Sequence, residues 1–335
     1  MRTQMKKIIL GVLAVILAIC AGIAIFLYCS PMPGVLLLRH AFGGEEDMQN
    51  PPDYEGKKAN ISIQKDLEYS SEDGRNQYDL YLPENAGEAL PVIVWVHGGA
   101  FVAGDKSGVE NWAVMLANEG YAVAAANYQW APEIQYPGQV RQIEECIAAL
   151  QNQAEKGVAL DMSKVILAGD SAGAHIAAQA GLLATNPAYA EELGVTSALE
   201  AEDLKAMLLY CGPYNVEQIL KVEDPLMHFF ASRIGWAMLG DKHWQEGNTI
   251  LTTTIKNYIT EYFPPSYIAD GNTGSFEKDG KELVAELKQK RVMVRSLFFE
   301  KAQGEIGHEY QFNLSSEEGM RTLNETVQFL KDVIH

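Results

Sequence analysis

From about residue 61 onward, apolar segments typical of strands alternate with segments typical of helices. The continuous apolar segment PVIVWV, at residues 91–96, is typical of a strand buried on both faces of a sheet. Other strands are predicted at residues 61–69, 78–82, 121–127, 164–168, 204–210, 266–269 and 292–299. Helices are predicted at residues 111–119, 138–153, 172–185, 281–290 and 316–334. This order predicts an α/β fold, a mostly parallel twisted sheet with helices on both faces, which opens with an antiparallel strand pair.

The alternation of strands and helices stops between residues 213 and 265. This insert contains the apolar sequence LMHFFASRIGWAMLG, at residues 226–240. We expect the insert to form a helical cap over the carboxyl edge of the sheet. The organisation expected after residue 60 is therefore one domain, residues 61–335, with a cap insert at about residues 213–265.

The N-terminus contains an apolar segment long enough to cross a membrane. Residues 8–29 are 22 residues without a charged side chain. A helix of about 20 residues crosses a hydrocarbon core of roughly 30 Å, whereas the apolar region of a signal peptide is usually about 7–15 residues long. We therefore expect residues 1–29 to be a short stub and an uncleaved anchor. A cleaved signal sequence and a lipidated Cys20 or Cys29 are the alternatives.

The distribution of charge predicts the orientation of this anchor. Arg2, Lys6 and Lys7 precede the apolar segment, whereas the whole chain has a net charge of −18 at pH 7. The positive-inside rule then predicts a single-pass protein of the cell membrane, with the N-terminus inside and the folded domain outside. Residues 30–60, which are rich in proline and glycine, are expected to be a tether between the two.

Composition also excludes several classes of function. The net charge of −18 repels the phosphate backbone of nucleic acids, so nucleic acid is not expected to be a partner. Four cysteines do not form a disulfide-rich scaffold, and no C-x-x-C or H-E-x-x-H spacing supports a metal site. The sequence therefore predicts neither a metal nor an organic cofactor, and it makes no prediction of oligomeric state.

The strongest local motif is Gly169-Asp-Ser-Ala-Gly173, which follows the predicted strand at residues 164–168 and begins the predicted helix at residues 172–185. This is the context required for a G-x-S-x-G nucleophile elbow. The two glycines permit a strained turn between strand and helix that exposes the hydroxyl of Ser171. The helix N-terminus below the serine favours developing negative charge. Ser171 is therefore the predicted nucleophile.

A second motif, His97-Gly-Gly-Ala-Phe101, follows the predicted strand at residues 91–96. Acyl transfer needs backbone N–H donors where a carbonyl oxygen becomes an oxyanion, and a glycine-rich turn after the third strand can supply them. We assign these donors to Gly99, Ala100 and Ala172. His97 and Gly98 are expected to support the turn, and no proton transfer is assigned to His97.

With these motifs, the chain from about residue 61 to its end resembles an α/β-hydrolase of the esterase/lipase class, close to the hormone-sensitive-lipase-like and bacterial carboxylesterase branch. The matching segments are HGGAF at 97–101, NYQWAPE at 127–133 with Tyr136-Pro137, and GDSAGAH at 169–175. The resemblance implies a Ser-Asp/Glu-His triad in that chain order, which acts on ester bonds through an acyl-enzyme. The base must then lie late in the chain, and the candidates are His308 and the terminal His335. His308 lies in a loop before the last predicted helix, so we assign it as the general base.

The acid is where the sequence departs from the family pattern. In related esterases the strand before the acid typically ends Gly-x-x-Asp-x-Leu, whereas residues 271–276 here are GNTGSF. Gly274 therefore stands where the acid is expected. Asp270, just before this turn, is the first candidate, Glu277 and Asp279 are alternatives, and a missing or displaced acid is the remaining possibility.

The function predicted from these residues is hydrolysis of short-chain esters, including acetyl groups on carbohydrate, so the partner is a small-molecule or glycan-linked ester. Apolar side chains of the insert either line an acyl pocket or pack the cap helices (Leu226, Met227, Phe229, Phe230, Trp236 and Met238). His175 is expected to be a packed polar residue, and His228 and His243 to belong to the cap. The alternative function is a membrane-tethered, non-catalytic binding module with a hydrolase fold, which the glycine at position 274 motivates.

Overall fold

An eight-stranded sheet forms the centre of the protein in a computed structural model, which describes residues 2–42, 48–221 and 224–334. The strands are β1 Ile61–Glu68, β2 Gln77–Pro83, β3 Leu90–Val96, β4 Ala122–Ala126, β5 Leu160–Asp170, β6 Leu204–Tyr210, β7 Ser266–Asp270 and β8 Val294–Phe298. Their order across the sheet is β1-β2-β4-β3-β5-β6-β7-β8. The pairs β1–β2 and β2–β4 are antiparallel and all later pairs are parallel. The predicted mostly parallel sheet is confirmed.

The α-helices of the described residues are α1 Arg2–Cys29, α2 Met32–Phe42, α3 Tyr54–Lys58, α4 Glu110–Asn118, α5 Gly138–Glu155, α6 Ala172–Thr185, α7 Pro187–Leu193, α8 Pro225–Leu239, α9 Glu277–Gln289 and α10 Glu317–Ile334. Of these, α4 and α10 cover one face of the sheet, and α5, α6 and α9 cover the other. The sequence analysis predicted neither α2, α3 nor α7. These three helices are short, and α2 lies in a segment whose prolines and glycines favoured a tether.

Strand β3 shows how the two faces are filled. Val92, Val94 and Val96 belong to the apolar core that contains α5, α6 and α9, whereas Ile93 and Trp95 belong to the core under α4 and α10. Successive side chains of a strand point to opposite faces, so a continuous apolar run fills both cores. Each buried side chain of this size contributes about 1.5–3 kcal/mol to folding. The carboxyl end of β3 is thereby fixed where the HGGAF turn begins.

The segment after α1 is not a plain tether. Helix α2 packs against α8, with Val35 and Leu38 buried. At its other end, Arg39 donates through Nε to the carbonyl oxygen of Val102 at 2.8 Å and pairs through both terminal nitrogens with Glu133. The physical reason is that α2 has an apolar face, which it buries on the cap. Of the expected tether, residues 43–47 lie outside the described residues.

Helix α1 itself makes little contact with the folded domain, and its apolar side chains are exposed. Thr3–Cys29 is long and apolar enough to span a membrane. At its end, the Lys242 Nζ lies 3.1 Å from the centre of the Tyr28 ring. The end of α1 therefore lies beside the cap insert. This insert, residues 213–265, contains α8 and several 3₁₀ turns.

Candidate active site

Ser171 lies between the last residue of β5 and the first residue of α6, with backbone angles φ 49° and ψ −121°. A positive φ is strained for a residue that carries a Cβ. The turn is tight because α6 starts against β3. A Cβ added to Gly173 would lie 2.0 Å from the Val96 carbonyl oxygen, and one added to Gly169 would lie 2.5 Å from the carbonyl carbon of Gly173. Both glycines of the motif are therefore needed for close approach of the backbone.

The structure brings the imidazole of His308 to this serine. His308 Nε2 lies 2.9 Å from Ser171 Oγ, within hydrogen-bond distance, although the two residues are 137 positions apart. The loop that carries His308 lies between β8 and α10. Burial lowers the pKa of His308 to about 4, so the imidazole is neutral at pH 7, and its Nε2 atom faces the hydroxyl.

The three candidate acids are in different environments. Glu277 pairs with Lys281 on the surface, and Asp279 accepts a hydrogen bond from the backbone N–H of Asn215. Asp270 ends β7, is 1% exposed, and is connected to His308 through one further side chain. Of the three carboxylates, the geometry supports Asp270.

The connecting side chain is Ser275, which sequence reasoning did not find. Its hydroxyl donates to Asp270 Oδ1 and lies 2.8 Å from His308 Nδ1. Burial raises the pKa of Asp270 to about 7, and the hydrogen bond from Ser275 opposes that rise. The signal in the sequence was the displacement of the candidate acid to Asp270, four residues before Gly274.

The HGGAF turn lies beside Ser171. Gly99 and Ala100 both have positive φ, 116° and 54°, and the Gly99 carbonyl accepts the N–H groups of Val102 and Ala103. In the described part of the chain, the N–H groups of Gly99 and Ala100 donate to no protein acceptor. Together with the N–H of Ala172, at the start of α6, they remain available to a developing oxyanion.

Two acidic residues and a tryptophan hold this turn in place. Asp170 accepts the Gly98 N–H at 2.7 Å through Oδ2 and the Trp95 Nε1–H at 2.7 Å through Oδ1. Burial raises the pKa of Asp170 to about 6, and a hydrogen bond with Glu309 opposes the rise. The sequence analysis assigned no role to Asp170 or Glu309, although Asp170 lies inside the nucleophile motif.

The side chains of His97 and His175 contact groups other than the Ser171 hydroxyl. His97 is buried, stacks on Tyr128 with ring centres 4.5 Å apart, and lies 2.6 Å through Nδ1 from the carbonyl oxygen of Gly98. His175 is buried on α6, where Nε2 lies 2.9 Å from the Thr253 carbonyl oxygen. His228 and His243 are in and after α8, and His335 lies outside the described residues.

The apolar residues of the insert divide into two groups. Met238 is buried, whereas Leu226 and Met227 are more than half exposed at the start of α8. Phe229 packs around α2, where it lies 3.6 Å from the Cβ position of Gly34. The burial of Met238 and the packing of Phe229 on α2 agree with the prediction that these side chains pack the cap helices. Leu226 and Met227 are exposed, and they neither line an acyl pocket nor pack the cap helices.

Among the described residues, one group has a geometry compatible with a metal ion: ligand atoms of Cys211, Asp270 and His308 lie within 4.8 Å of one another. Each of these side chains already has a hydrogen-bond partner in the protein. Cys211 Sγ lies 3.4 Å from Gln311 Oε1, and burial raises the pKa of its thiol, which disfavours the thiolate that a metal needs. The donor set fits a hydrogen-bonded triad better than a metal centre.

The sequence of this chain is similar to those of two proteins named as an esterase and a methylesterase. Esterase LipC of Mycobacterium tuberculosis is 34% identical over 155 residues, 46% of this chain and 37% of that protein. Isoprenylcysteine alpha-carbonyl methylesterase of Arabidopsis thaliana is 32% identical over 146 residues, 44% of this chain and 33% of that protein. The match thus spans about a third of the length of these curated relatives.

Solved structures show the fold. Esterase B of Lactobacillus rhamnosis superposes with a TM-score of 0.72 at 20% identity, over 96% of this chain and 95% of that one. A bacterial heroin esterase superposes with a TM-score of 0.65 at 22% identity, over 82% and 85%. The α/β-hydrolase fold is thereby confirmed. The BD-FAE sequence model matches residues 78–277, more than half of the chain, and the protein therefore belongs to the BD-FAE family.

Proposed function

We propose that the protein is a serine carboxylesterase that hydrolyses short-chain esters, including acetyl esters of carbohydrates, through an acyl-enzyme. The observation that carries this proposal is the 2.9 Å distance between Ser171 Oγ and His308 Nε2, beside the free N–H groups of the HGGAF turn. Nucleophile, base and oxyanion donors are the three parts that acyl transfer requires. The names of the relatives, an esterase and a methylesterase, are consistent with ester cleavage.

The mechanism follows from the positions of Ser171, His308 and the backbone N–H groups. His308 Nε2 takes the hydroxyl proton while Ser171 Oγ bonds to the ester carbonyl carbon, and the electron pair of the C=O bond moves to oxygen. The N–H groups of Gly99, Ala100 and Ala172 stabilise that oxyanion. When the intermediate collapses, the protonated His308 gives its proton to the departing alkoxide, which leaves as the alcohol.

Deacylation repeats these steps with water. Water gives a proton to His308 as its oxygen attacks the acyl carbon. The Ser171–acyl bond then breaks as His308 gives this proton to Ser171 Oγ, and the carboxylic acid is released. The lowered pKa of His308 keeps its Nε2 unprotonated before each attack. Asp270 is assigned as the acid of the triad, although it contacts the imidazole of His308 only through the hydroxyl of Ser275.

We further propose that α1 anchors the enzyme in the cell membrane with the folded domain outside. Residues Arg2, Lys6 and Lys7 flank the apolar helix on one side only, which supports that orientation. On α2, Leu36 and Leu37 are exposed within eight residues of the end of α1, and the contact of Lys242 with Tyr28 places a cation at the same level. Aromatic and basic side chains beside exposed leucines are typical of a membrane interface.

The proposal is tested on the full chain in detergent micelles with p-nitrophenyl acetate and a fluorophosphonate probe. We expect turnover and labelling of wild type and of Ser163→Ala, a control on an exposed serine of β5, and neither with Ser171→Ala. A panel of p-nitrophenyl esters of increasing acyl length then tests the short-chain preference. Wild type that neither hydrolyses any ester nor reacts with the probe is a binding module, and the esterase proposal fails.

The anchor is tested separately, in cells that express the full chain. Carbonate extraction should leave the protein in the membrane fraction, and protease added outside intact cells should degrade the folded domain. Protein recovered in the soluble fraction after processing of the N-terminus contradicts the anchor, and a domain protected from external protease contradicts the orientation.

A further inference from the structure

We propose that Ser275 is a positioning residue whose hydroxyl transmits the orienting effect of Asp270 to His308, so that the triad operates as Ser171–His308–Ser275–Asp270. The inference rests on the proposed esterase function and adds a fourth residue to it. Three hydrogen bonds connect the four side chains in one line, from Ser171 Oγ to Asp270 Oδ1.

The chemistry of the groups fixes the direction of these hydrogen bonds. An ionised carboxylate only accepts, so the Ser275 hydroxyl donates its one proton to Asp270. The lone pairs of the same oxygen are then available to the Nδ1–H of His308. A neutral imidazole with its proton on Nδ1 has its lone pair on Nε2, which faces Ser171. Ser275 thus selects the tautomer that a general base requires.

The backbone around Ser275 is held by the loop that carries His308. The N–H groups of Asn272 and Thr273 both donate to the carbonyl oxygen of Ile306, at 2.9 and 3.1 Å. A Cβ added to Gly271 would lie 2.2 Å from the carbonyl oxygen of Gly307. These contacts join the two loops next to the histidine. The bridging hydroxyl is therefore presented by a preorganised backbone.

Local structure offers no other role for this hydroxyl. Ser275 comes two residues before α9, whose N-cap residue is Phe276 and makes no side-chain capping bond. In the described part of the chain, the Ser275 hydroxyl has two partners, Asp270 and His308. Phe276 packs edge-on against the His308 ring, with ring centres 5.4 Å apart, which shields the bridge from one side.

The bridge also controls the charge of Asp270. Burial favours the neutral acid, and the hydrogen bond from Ser275 favours the carboxylate. Other titratable groups surround Asp270 on the elements packed against it: Cys211, Tyr214, Glu277, His308 and Tyr310. Burial or nearby charge raises the pKa of Cys211, Tyr214 and Tyr310, and these groups are neutral near pH 7.

The sign of the pH dependence follows from this balance. The pKa of Asp270 is raised to about 7, so the carboxylate that the bridge needs is present above pH 7 and lost below it. We expect kcat/KM of wild type to rise with pH through about 7. Without the Ser275 hydroxyl the carboxylate loses its hydrogen bond, its pKa rises further, and the midpoint moves to higher pH.

The experiment compares Ser275→Ala, Ser275→Thr, Asp270→Asn and the double variant Ser275→Ala/Asp270→Asn in the full chain. Thr273→Ala, an exposed hydroxyl in the same loop, is the matched control. We expect Ser275→Ala to lower kcat about 10²-fold with little change in KM, and Asp270→Asn to lower it by about 10³- to 10⁴-fold. Ser275→Thr keeps the hydroxyl and should restore most of the rate.

The proposal predicts that the double variant is no slower than Asp270→Asn, because both substitutions break the same connection. Unchanged kcat and midpoint for Ser275→Ala, or losses that add in the double variant, overturn it. Thermal unfolding of each variant shows whether a lost rate is only lost folding. A wild type with no activity refutes the esterase function instead.

A second measurement does not depend on turnover. In ¹⁵N spectra of histidine-labelled protein, assigned with His308→Ala, wild type should show the proton of His308 on Nδ1. Ser275→Ala should move a measurable fraction of it to Nε2. The same tautomer in both proteins overturns the positioning role even if the chain proves inactive.

Discussion

Gly173 offers the most direct test of how the fold builds the site. It is the second residue of α6, and its missing side chain lets the helix begin against the end of β3. A Cβ at this position would lie 2.0 Å from the carbonyl oxygen of Val96 and 2.5 Å from that of His97. Real Cβ atoms essentially never approach other atoms closer than 3.0 Å, so Gly173→Ala must separate helix and strand by about 1 Å.

The size of the effect follows from this displacement. The obstructing atoms are backbone and cannot rotate away, so the cost should fall at the upper end of the range of about 1–3 kcal/mol for an added methyl group in a packed core. For a protein of this size, such a loss lowers Tm by roughly 4–5 °C. A shift of about 1 Å at the nucleophile costs on the order of 10²-fold in kcat.

The assay is p-nitrophenyl acetate hydrolysis and thermal unfolding followed by tryptophan fluorescence, on wild type, Gly173→Ala and Gly181→Ala. Gly181 is the matched control, because it lies on the same helix and the atoms nearest to an added Cβ belong to side chains, Met207 at 3.0 Å and Phe263 at 3.3 Å. These side chains can move, so Gly181→Ala should stay within a few-fold of wild type. A Gly173→Ala protein with unchanged Tm and kcat refutes the argument from close approach.

Three further predictions concern groups that support the site. Lys106→Met should lower the free energy of unfolding by about 3–5 kcal/mol in chemical denaturation, because it leaves the buried Asp79 without its ion-pair partner at 2.7 Å. Arg39→Ala should lower the free energy of unfolding by about 2 kcal/mol and should also lower kcat. Arg39→Lys should not restore either quantity, because a lysine ammonium lacks the planar arrangement of donors of the guanidinium. Chemical denaturation measures the first effect and steady-state kinetics the second. Asp170→Asn should lower kcat at least about tenfold, because an amide has one acceptor oxygen for two donors, the Gly98 N–H and the Trp95 Nε1–H, and its nitrogen then faces one of them; unchanged kinetics would contradict this.

The strands and the turn between strand and helix at Ser171 were predictable because both show a short-range sequence pattern. The continuous apolar segment at residues 91–96 is typical of a strand covered on both faces, and the structure contains this strand as β3. The Gly-x-Ser-x-Gly turn is recognisable from its own five residues, although Gly173 is required by its contact with the end of β3. Elements of this kind are determined by period and by backbone approach.

The acid and helix α2 depend instead on contacts between distant residues. The bridge at Ser275 exists only because the loop after β7 and the loop before α10 meet, 33 residues apart in sequence. A serine in a Gly-Asn-Thr-Gly-Ser loop looks like ordinary turn composition. Similarly, prolines and glycines in residues 30–42 favour a linker by local propensity, and only the apolar surface of α8 makes that segment helical.

The contact of Arg39 with the Val102 carbonyl has a consequence for any shortened form of the protein. Val102 directly follows the HGGAF turn, so the guanidinium braces the scaffold of the oxyanion donors from a helix that begins three residues after α1. Under the proposed anchoring through α1, a cleavage after α2 would remove the attachment to the bilayer and this contact together. The released domain would then lose part of its activity at the same moment as it lost its membrane attachment.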